Sequence, residues 1–476
     1  MNRFEISKAF FLWLILLPAM VTFCLITPAP CFPAEITLTL ENEKLSVCAH
    51  QAPLKDVLKR LAGFGIRVRI DPAINPEITV SFQDRDVASG LQAVLRHLNH
   101  VLIWEKRSES RSSTECLVEI QIFQPGGKDR MIPLEGDRNL SISRDPSTGA
   151  IYVSNEILIR PEPGTGADEI EAIIIGAGGT ILMMVENRGV YRIVLSDQTD
   201  IHLLLEHLGK EEKMGRPELN YAYSAAQPFH STGGRRIPVL PAATGTQKTA
   251  GAPVAVLDSG VTFVPGLEGI VVTGMDALEP ADDFADSLGH GTQMALIASG
   301  VVAPLGSPAL REDFSPVIGV KLFDDNGLTS NFAVLRALSF AVDKGARVIS
   351  MSWSSETESA FLADACGKAA SSGAMLVAAA GNEPTGRPVF PAAFDTVIGV
   401  GALDAHGNTW RESNFGTFVP VFAPGIAMLP VGHRGDPGVY AGTSIATAYV
   451  ARRLSAAARL HPEATDGELL EIISRP

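Results

Sequence analysis

The sequence predicts an α/β protein. A parallel sheet covered by helices on both faces is expected over residues 252–476, preceded by two small α+β units. Three observations carry this prediction. Apolar runs of strand length recur through residues 252–476 with helical patterns between them, and strands buried on both faces read as continuous apolar runs. Two earlier stretches, 35–123 and 151–223, mix short alternating strands with amphipathic helices. Linkers at 124–150 and 224–251, rich in small and polar residues, separate the three.

The chain has 476 residues, of which 46% are hydrophobic and 19% charged, the balance of a globular protein. A formal charge of −14, with no basic patch interleaved with aromatics, argues against a nucleic-acid partner. The basic start MNRFEISK, the apolar run Ala9–Ile26 and the small residues near Ala34 make 1–34 an export signal. A retained membrane anchor is the alternative, because the run is 18 residues long. Pro18 and the small-residue tail favour cleavage. The expected location is therefore secreted or periplasmic. Of the five cysteines, Cys48 and Cys116 are either a disulfide of an exported domain or two half-buried thiols. Cys366 lies in a helical pattern and reads as a small core residue.

Within 35–123, ITLTLEN, IRVRI, ITVSF, LIWEKR and CLVEIQIF read as strands. PLKDVLKRLAGFG places Leu54, Val57, Leu58 and Leu61 on one helical face and ends on glycine. VASGLQAVLRHLNH is a second amphipathic helix, with His97 and His100 at i and i+3 as surface groups. This order, with DVASGLQAVL after a strand, resembles the short N-terminal domain of secretins and TonB-type receptors. That resemblance implies a docking module with an envelope partner and no catalysis.

Residues 151–223 give strand NEILIR, helix ADEIEAIIIGAGG, strands TILMMV and VYRIVL, helix TDIHLLLEHLGKEE and the extended PELNYAY. GAGGT is not a dinucleotide loop: its glycines end a helix and do not join a strand to a following one. Residues 252–476 supply strands PVAVLD, GIVVTGM, VIGVKLF, ARVISMSW, AMLVAAA and TVIGVGA. NFAVLRALSFAVDKGA and SAFLADACGKAASSG are helices between them.

In open parallel sheets, sites form at the carboxyl ends of strands, and the sharpest motifs stand there. Asp258 follows PVAVL in LDSG, and Asn382 follows AMLVAAA in AAGNE. His290 opens a helix in GHGTQMALIAS, and Ser444 opens the last long helix in AGTSIATA. A serine hydroxyl needs a base to take its proton, and the base needs a group that fixes its tautomer. The oxyanion that forms needs donors placed in advance. LDSG also fits the aspartic-protease pattern, but no second copy exists and HGT and GTS would stay unexplained.

Asp, His and Ser in that order, with DSG, HGT, AAGN and GTS, resemble the subtilisin family, whose triad runs in the same chain order. FPAAFDTVIGVGA and SNFGTFVPVFAPG agree. The resemblance implies a serine endopeptidase needing no catalytic metal or cofactor. Asp258 would orient, His290 act as base and acid, Ser444 attack and Asn382 donate to the oxyanion. Ser352, Trp353, Ser354, Ala380 and Gly381 would border the cleft for peptide or protein substrates. Residues 151–223 resemble the family's inhibitory propeptide, which implies a zymogen with Pro217–Ser224 lying in the cleft. Cleavage is then expected between Tyr223 and Gln227. The family also leaves structural calcium open at ADDFADS (281–287) and FDDNG (323–327), against the plainer reading of solvated loops. Gln293, Leu296, Ser354, Ala448 and Arg452 depart from the family pattern. Arg452 requires a solvent path or a partner, since an unpaired buried charge is costly. The alternative to a working enzyme is an inactive scaffold on the same fold.

Overall fold

The computed structural model describes residues 36–474 apart from 42–43, 63–65, 72, 110–111, 125–130, 135–139, 227–228, 232–248, 250, 280–282, 309–313 and 432–436. The predicted export signal lies outside the described residues. Among the described residues, no helix is long and apolar enough to cross a membrane. The chain forms two compact units, one ending at Arg138 and the other starting at Asn139.

The first unit contains two small sheets. One has the order Thr37–Glu41, Lys44–Pro53, Glu77–Asp86; the other has His100–Glu109, Ser112–Ile122, Arg67–Ile70, Ile132–Pro133. The helix Leu54–Ala62 buries Leu54, Val57, Leu58 and Leu61, the four residues its periodicity selects. The strand Lys44–Pro53 is additional to those the sequence predicts, although Leu45, Val47 and Ala49 point inward with a period of two. The second helix ends at Val94. His97 is left-handed at φ 70° and His100 begins a strand, so the two do not share a helical face. Cys48 is disulfide-bonded; the Cys116 side chain lies outside the described residues. The expected 124–150 linker is partly strand. Ile132–Pro133 pairs with Arg69–Ile70 in this unit, and Ile142–Arg144 pairs with Ile151–Val153 in the second.

In the second unit, a seven-stranded sheet runs Val271–Asp276, Val317–Lys321, Val254–Asp258, Val348–Met351, Met375–Ala379, Val397–Leu403, Val421–Pro424. All its pairings are parallel, as predicted. Successive residues of the central strand serve opposite faces. Val254 and Val256 pack with the His290–Ser299 and Thr443–Leu460 helices. Ala255 and Leu257 pack with the Asn331–Asp343 and Ala360–Ser371 helices. Burial on both faces explains why no alternation is visible in these strands.

A second sheet of this unit runs Ile181–Asn187, Val190–Leu195, Ile151–Ile159, Glu218–Ser224, Leu328–Ser330. Its helices, Ala167–Gly176 and Ile201–Leu208, cover one face through Ile170, Ile174, Leu204 and Leu208. Gly178, at φ 90°, follows the first helix, so the glycine cluster does end a helix. Across the other face, Leu158 and Val190 pack on Phe332, Leu335 and Phe361 of the two large-domain helices. Arg160 reaches Asp364 at 2.8 Å and lies over the Phe361 ring. Leu328–Ser330 belongs by sequence to residues 252–476, called the large domain, so the sheet built by residues 151–224, called the small domain, includes a strand from outside them. The 224–251 stretch is also not all linker: Phe229–Ser231 pairs with Val439–Ala441.

Candidate active site

Asp258 is the last residue of the central strand and is 1% exposed. Its Oδ1 accepts from the Ser259 backbone N–H at 2.8 Å. His290 is the first residue of its helix, after Gly289 at φ 83°, a left-handed turn that suits glycine. The two segments are locked together. Ser259 Oγ accepts the Gly291 N–H at 2.8 Å, and a Cβ on Gly291 would lie 2.2 Å from the Gly260 carbonyl oxygen. Thus the glycine of HGT permits the approach and the serine of DSG fastens it. His290 Nδ1 is then 2.7 Å from Asp258 Oδ1. With Nδ1–H donated to the carboxylate, Nε2 is the acceptor nitrogen.

Asp286, four residues before the histidine, fixes the helix start. It accepts from the N–H groups of Leu288, Gly289 and Thr292 and from the Thr292 hydroxyl, at 2.6–3.0 Å. Burial acts to lower the His290 pKa, but the charge and hydrogen bond of Asp258, with a smaller contribution from Asp286, outweigh it and raise it. Sequence reasoning misses Asp286 as a site residue, seeing it only as part of an acidic loop. An Asp just ahead of a helix start is a capping signal that would have found it.

Ser444 is the second residue of the helix Thr443–Leu460, where a backbone N–H has no acceptor within the helix. It is 3% exposed. Its hydroxyl donates to the Ser352 carbonyl at 3.3 Å. His290 Nε2 has no hydrogen-bond partner among the described residues. The structure therefore joins Asp258 to His290 but does not join His290 to Ser444 by a hydrogen bond. Asn382 follows the Met375–Ala379 strand. Its Oδ1 accepts the Thr443 N–H and the Thr443 hydroxyl, both at 2.9 Å. That leaves Nδ2 as the donating group, beside Gly442 at the start of the Ser444 helix.

The predicted cleft residues gather here as well. Ser352 touches Ser444 through its carbonyl, and Ala380 is buried at the sheet end. Gly381, at φ 93°, accepts the Asn414 N–H and faces Ser354 Oγ. Trp353 is 1% exposed and stacks on Tyr223, ring centroids 5.2 Å apart.

The departures from the expected pattern are absorbed locally. Gln293 donates to the Val431 carbonyl at 2.9 Å. Ala448 and Leu296 are core residues. Arg452, 5% exposed, donates to Ser315 Oγ at 3.1 Å; its Nε would lie 2.6 Å from a Cβ on Gly300, so the glycine makes room for the guanidinium. Of the two acidic loops, 281–282 lie outside the described residues. In the other, Asp324 accepts the N–H groups of Leu140, Asn326 and Leu328. Among the described residues, no group of three or more His, Cys, Asp or Glu is placed to hold a metal ion.

The strand Glu218–Ser224, called the tail below, also reaches the surroundings of these residues. Ala222, Tyr223 and Ser224 pair antiparallel with Ser330, Thr329 and Leu328, and the Ala225 N–H donates to the Gly327 carbonyl at 2.7 Å. Beyond Ala226 and the undescribed residues 227–228, Phe229 pairs with Ala441, three residues before Ser444. Glu218 anchors the tail: it accepts from the Ser359 hydroxyl, the Ala360 N–H and Asn331 Nδ2 at the starts of two helices. Such helix starts favour a carboxylate. Burial raises the Glu218 pKa against those donors. Glu218 carries no sequence signal of its own, because its partners Asn331, Ser359 and Ala360 lie more than 100 residues away.

A family profile described as Subtilase family matches residues 249–474. The chain is 27% identical over 308 residues to the thermophilic serine proteinase of Bacillus sp. strain AK1, covering 63% of this chain and 77% of that one. It is 32% identical to thermitase of Thermoactinomyces vulgaris, covering 44% of this chain and 76% of that protein. It is 30% identical to subtilisin of Bacillus pumilus, covering 45% and 80%.

Proposed function

We propose, since the chain belongs to the subtilase family and is a serine endopeptidase acting on proteins or peptides, that Ser444 is its nucleophile and that it is made as a self-processed zymogen. Ser444 Oγ attacks the scissile carbonyl while His290 Nε2 takes its proton. Asp258 holds the imidazole through Nδ1 and stabilises the imidazolium. Asn382 Nδ2 and the Ser444 N–H receive the developing oxyanion. The protonated His290 gives its proton to the leaving amine, which departs and leaves an acyl-serine. Water then attacks that ester with His290 as base and releases the acid.

The observation that carries this reading is the buried Asp258–His290 pair at the carboxyl end of the central strand. To serve as nucleophile, the Ser444 hydroxyl must leave Ser352 for Nε2. Catalytic hydrogen bonds of this kind commonly tighten only when substrate is bound.

Residues 151–224 are the inhibitory domain in this reading, and their tail is the first substrate. Support comes from the edge pairing that carries the tail to Ala225 and from its return at Phe229 beside Ala441. The cut falls after Ala225, in the C-terminal part of the expected window. The alignment with the Bacillus AK1 proteinase is longer than the 249–474 segment, so it reaches N-terminally of Thr249. The apolar leader and the Cys48 disulfide support an exported protein. The first unit is the envelope-docking module.

Intact-mass analysis of wild type and Ser444→Ala tests the reading. The expected result is a cut between Ala225 and Gln227 in wild type only. Equal cutting of both proteins contradicts self-processing.

A further inference from the structure

We propose that this protease selects a tyrosine over a phenylalanine upstream of the bond it cuts, and that Asn331 reads the hydroxyl. The inference rests on the protease reading above and deepens it. Within the tail strand, the Tyr223 side chain is enclosed against the large domain and hydrogen-bonded there at its tip. It is 1% exposed, its ring stacks on Trp353 at an interplanar angle of 29°, and its phenolic hydroxyl donates to Asn331 Oδ1. Its backbone lies in register with Thr329, on the edge strand that holds the segment ahead of the proposed cut.

The acceptor is preset. Asn331 is 0% exposed and is the first residue of its helix. Its Nδ2 donates to Ser359 Oγ at 2.8 Å, which fixes the amide and turns Oδ1 to the pocket. Nδ2 also donates to Glu218, which leaves with the tail; the Ser359 contact belongs to the large domain and stays. The walls around the ring are apolar, so a phenylalanine would fill the same volume. It would, however, leave Asn331 Oδ1 buried with no donor. A site built to bond a substrate hydroxyl rejects the analogue lacking it more strongly than an apolar pocket rejects a missing methylene.

The test compares two fluorogenic peptides of residues 220–231, one with the natural sequence and one carrying Tyr223→Phe, on the self-processed full chain titrated with a fluorophosphonate. The expected result is a kcat/KM about tenfold or more higher for the tyrosine peptide. In Asn331→Ala the difference shrinks toward unity, mostly by loss on the tyrosine peptide. Equal cleavage of both peptides by wild type overturns the inference and leaves the protease reading intact. Failure to cut either peptide by an enzyme that still labels also overturns it, since the tail would then not mark the substrate path. An enzyme that neither labels nor cuts overturns both.

Discussion

Two sheets of the second unit are built on opposite terms. The seven-stranded sheet is buried on both faces, and the Asp258 and Asn382 motifs stand at or just beyond its strand ends. The smaller sheet is complete only because it borrows Leu328–Ser330 from the large domain. The first holds its chemistry by packing within itself. The second holds its place through an edge, two helix starts and one enclosed tyrosine. In the proposed reading, one surface, the Leu328–Ser330 edge with the helix starts beside it, both seats the inhibitory tail and receives substrate. Whatever strengthens one changes the other.

The contrast breaks most visibly at Ser444. Ser444→Ala should lower peptide hydrolysis by about 10⁴-fold or more, while leaving the small sheet docked and the chain uncut. Steady-state hydrolysis and melting temperature check the two halves of that statement. Asn382→Ala is the next largest change. Loss of one oxyanion donor should cost about 10²–10³ in kcat, with KM much less affected; a change confined to KM would move Asn382 out of the oxyanion role.

Glu218→Ala addresses the other sheet. It removes the acceptor of three donors at two helix starts. We expect docking of the tail domain to weaken by about 2 kcal/mol, or roughly 30-fold. Titration calorimetry of the separated tail domain, wild type against variant, on self-processed enzyme measures it. Unchanged affinity would show that the remaining contacts, the edge pairing, Tyr223, the Arg160–Asp364 pair and the packing of Leu158 and Val190 on Phe332 and Phe361, hold the domain without Glu218.

The smallest effect is a shift in pH dependence. His290 must be neutral to act as base, so activity falls as pH drops through its pKa. Despite burial, Asp258 and Asp286 together hold that pKa above the ordinary histidine value. Asp286→Asn keeps a capping side chain but removes one charge. The acid limb of kcat/KM should therefore move to lower pH, by less than about one unit. A limb that stays in place would make Asp286 a helix cap without electrostatic influence on the base.

Much of the large domain is legible from residues alone. Continuous apolar strands imply a parallel sheet, and a parallel sheet says where its site must lie. Asp258, His290, Asn382 and Ser444 are conspicuous because each sits in a short motif whose glycines and serines do local work, as Ser259 and Gly291 do. What escapes notice acts across long sequence distances. Asn331 looks like one more helix-start residue until Tyr223 arrives from 108 positions away. The helix in VASGLQAVLRHLNH is shorter than its pattern suggests, because the apolar spacing continues past Val94, where a left-handed His97 turns the chain. The strand Lys44–Pro53 is hard to see because Ala49 and Ala52 are weak apolar markers beside Leu45 and Val47.

One measurement bears on the proton relay more directly than any other. The self-processed protein is treated with a fluorophosphonate at neutral pH, digested, and the adduct mapped by mass spectrometry. A single adduct on Ser444, lost in His290→Ala while the protein remains folded, is the predicted result. A folded protein that takes no adduct at Ser444, or takes it equally well without His290, would contradict that relay.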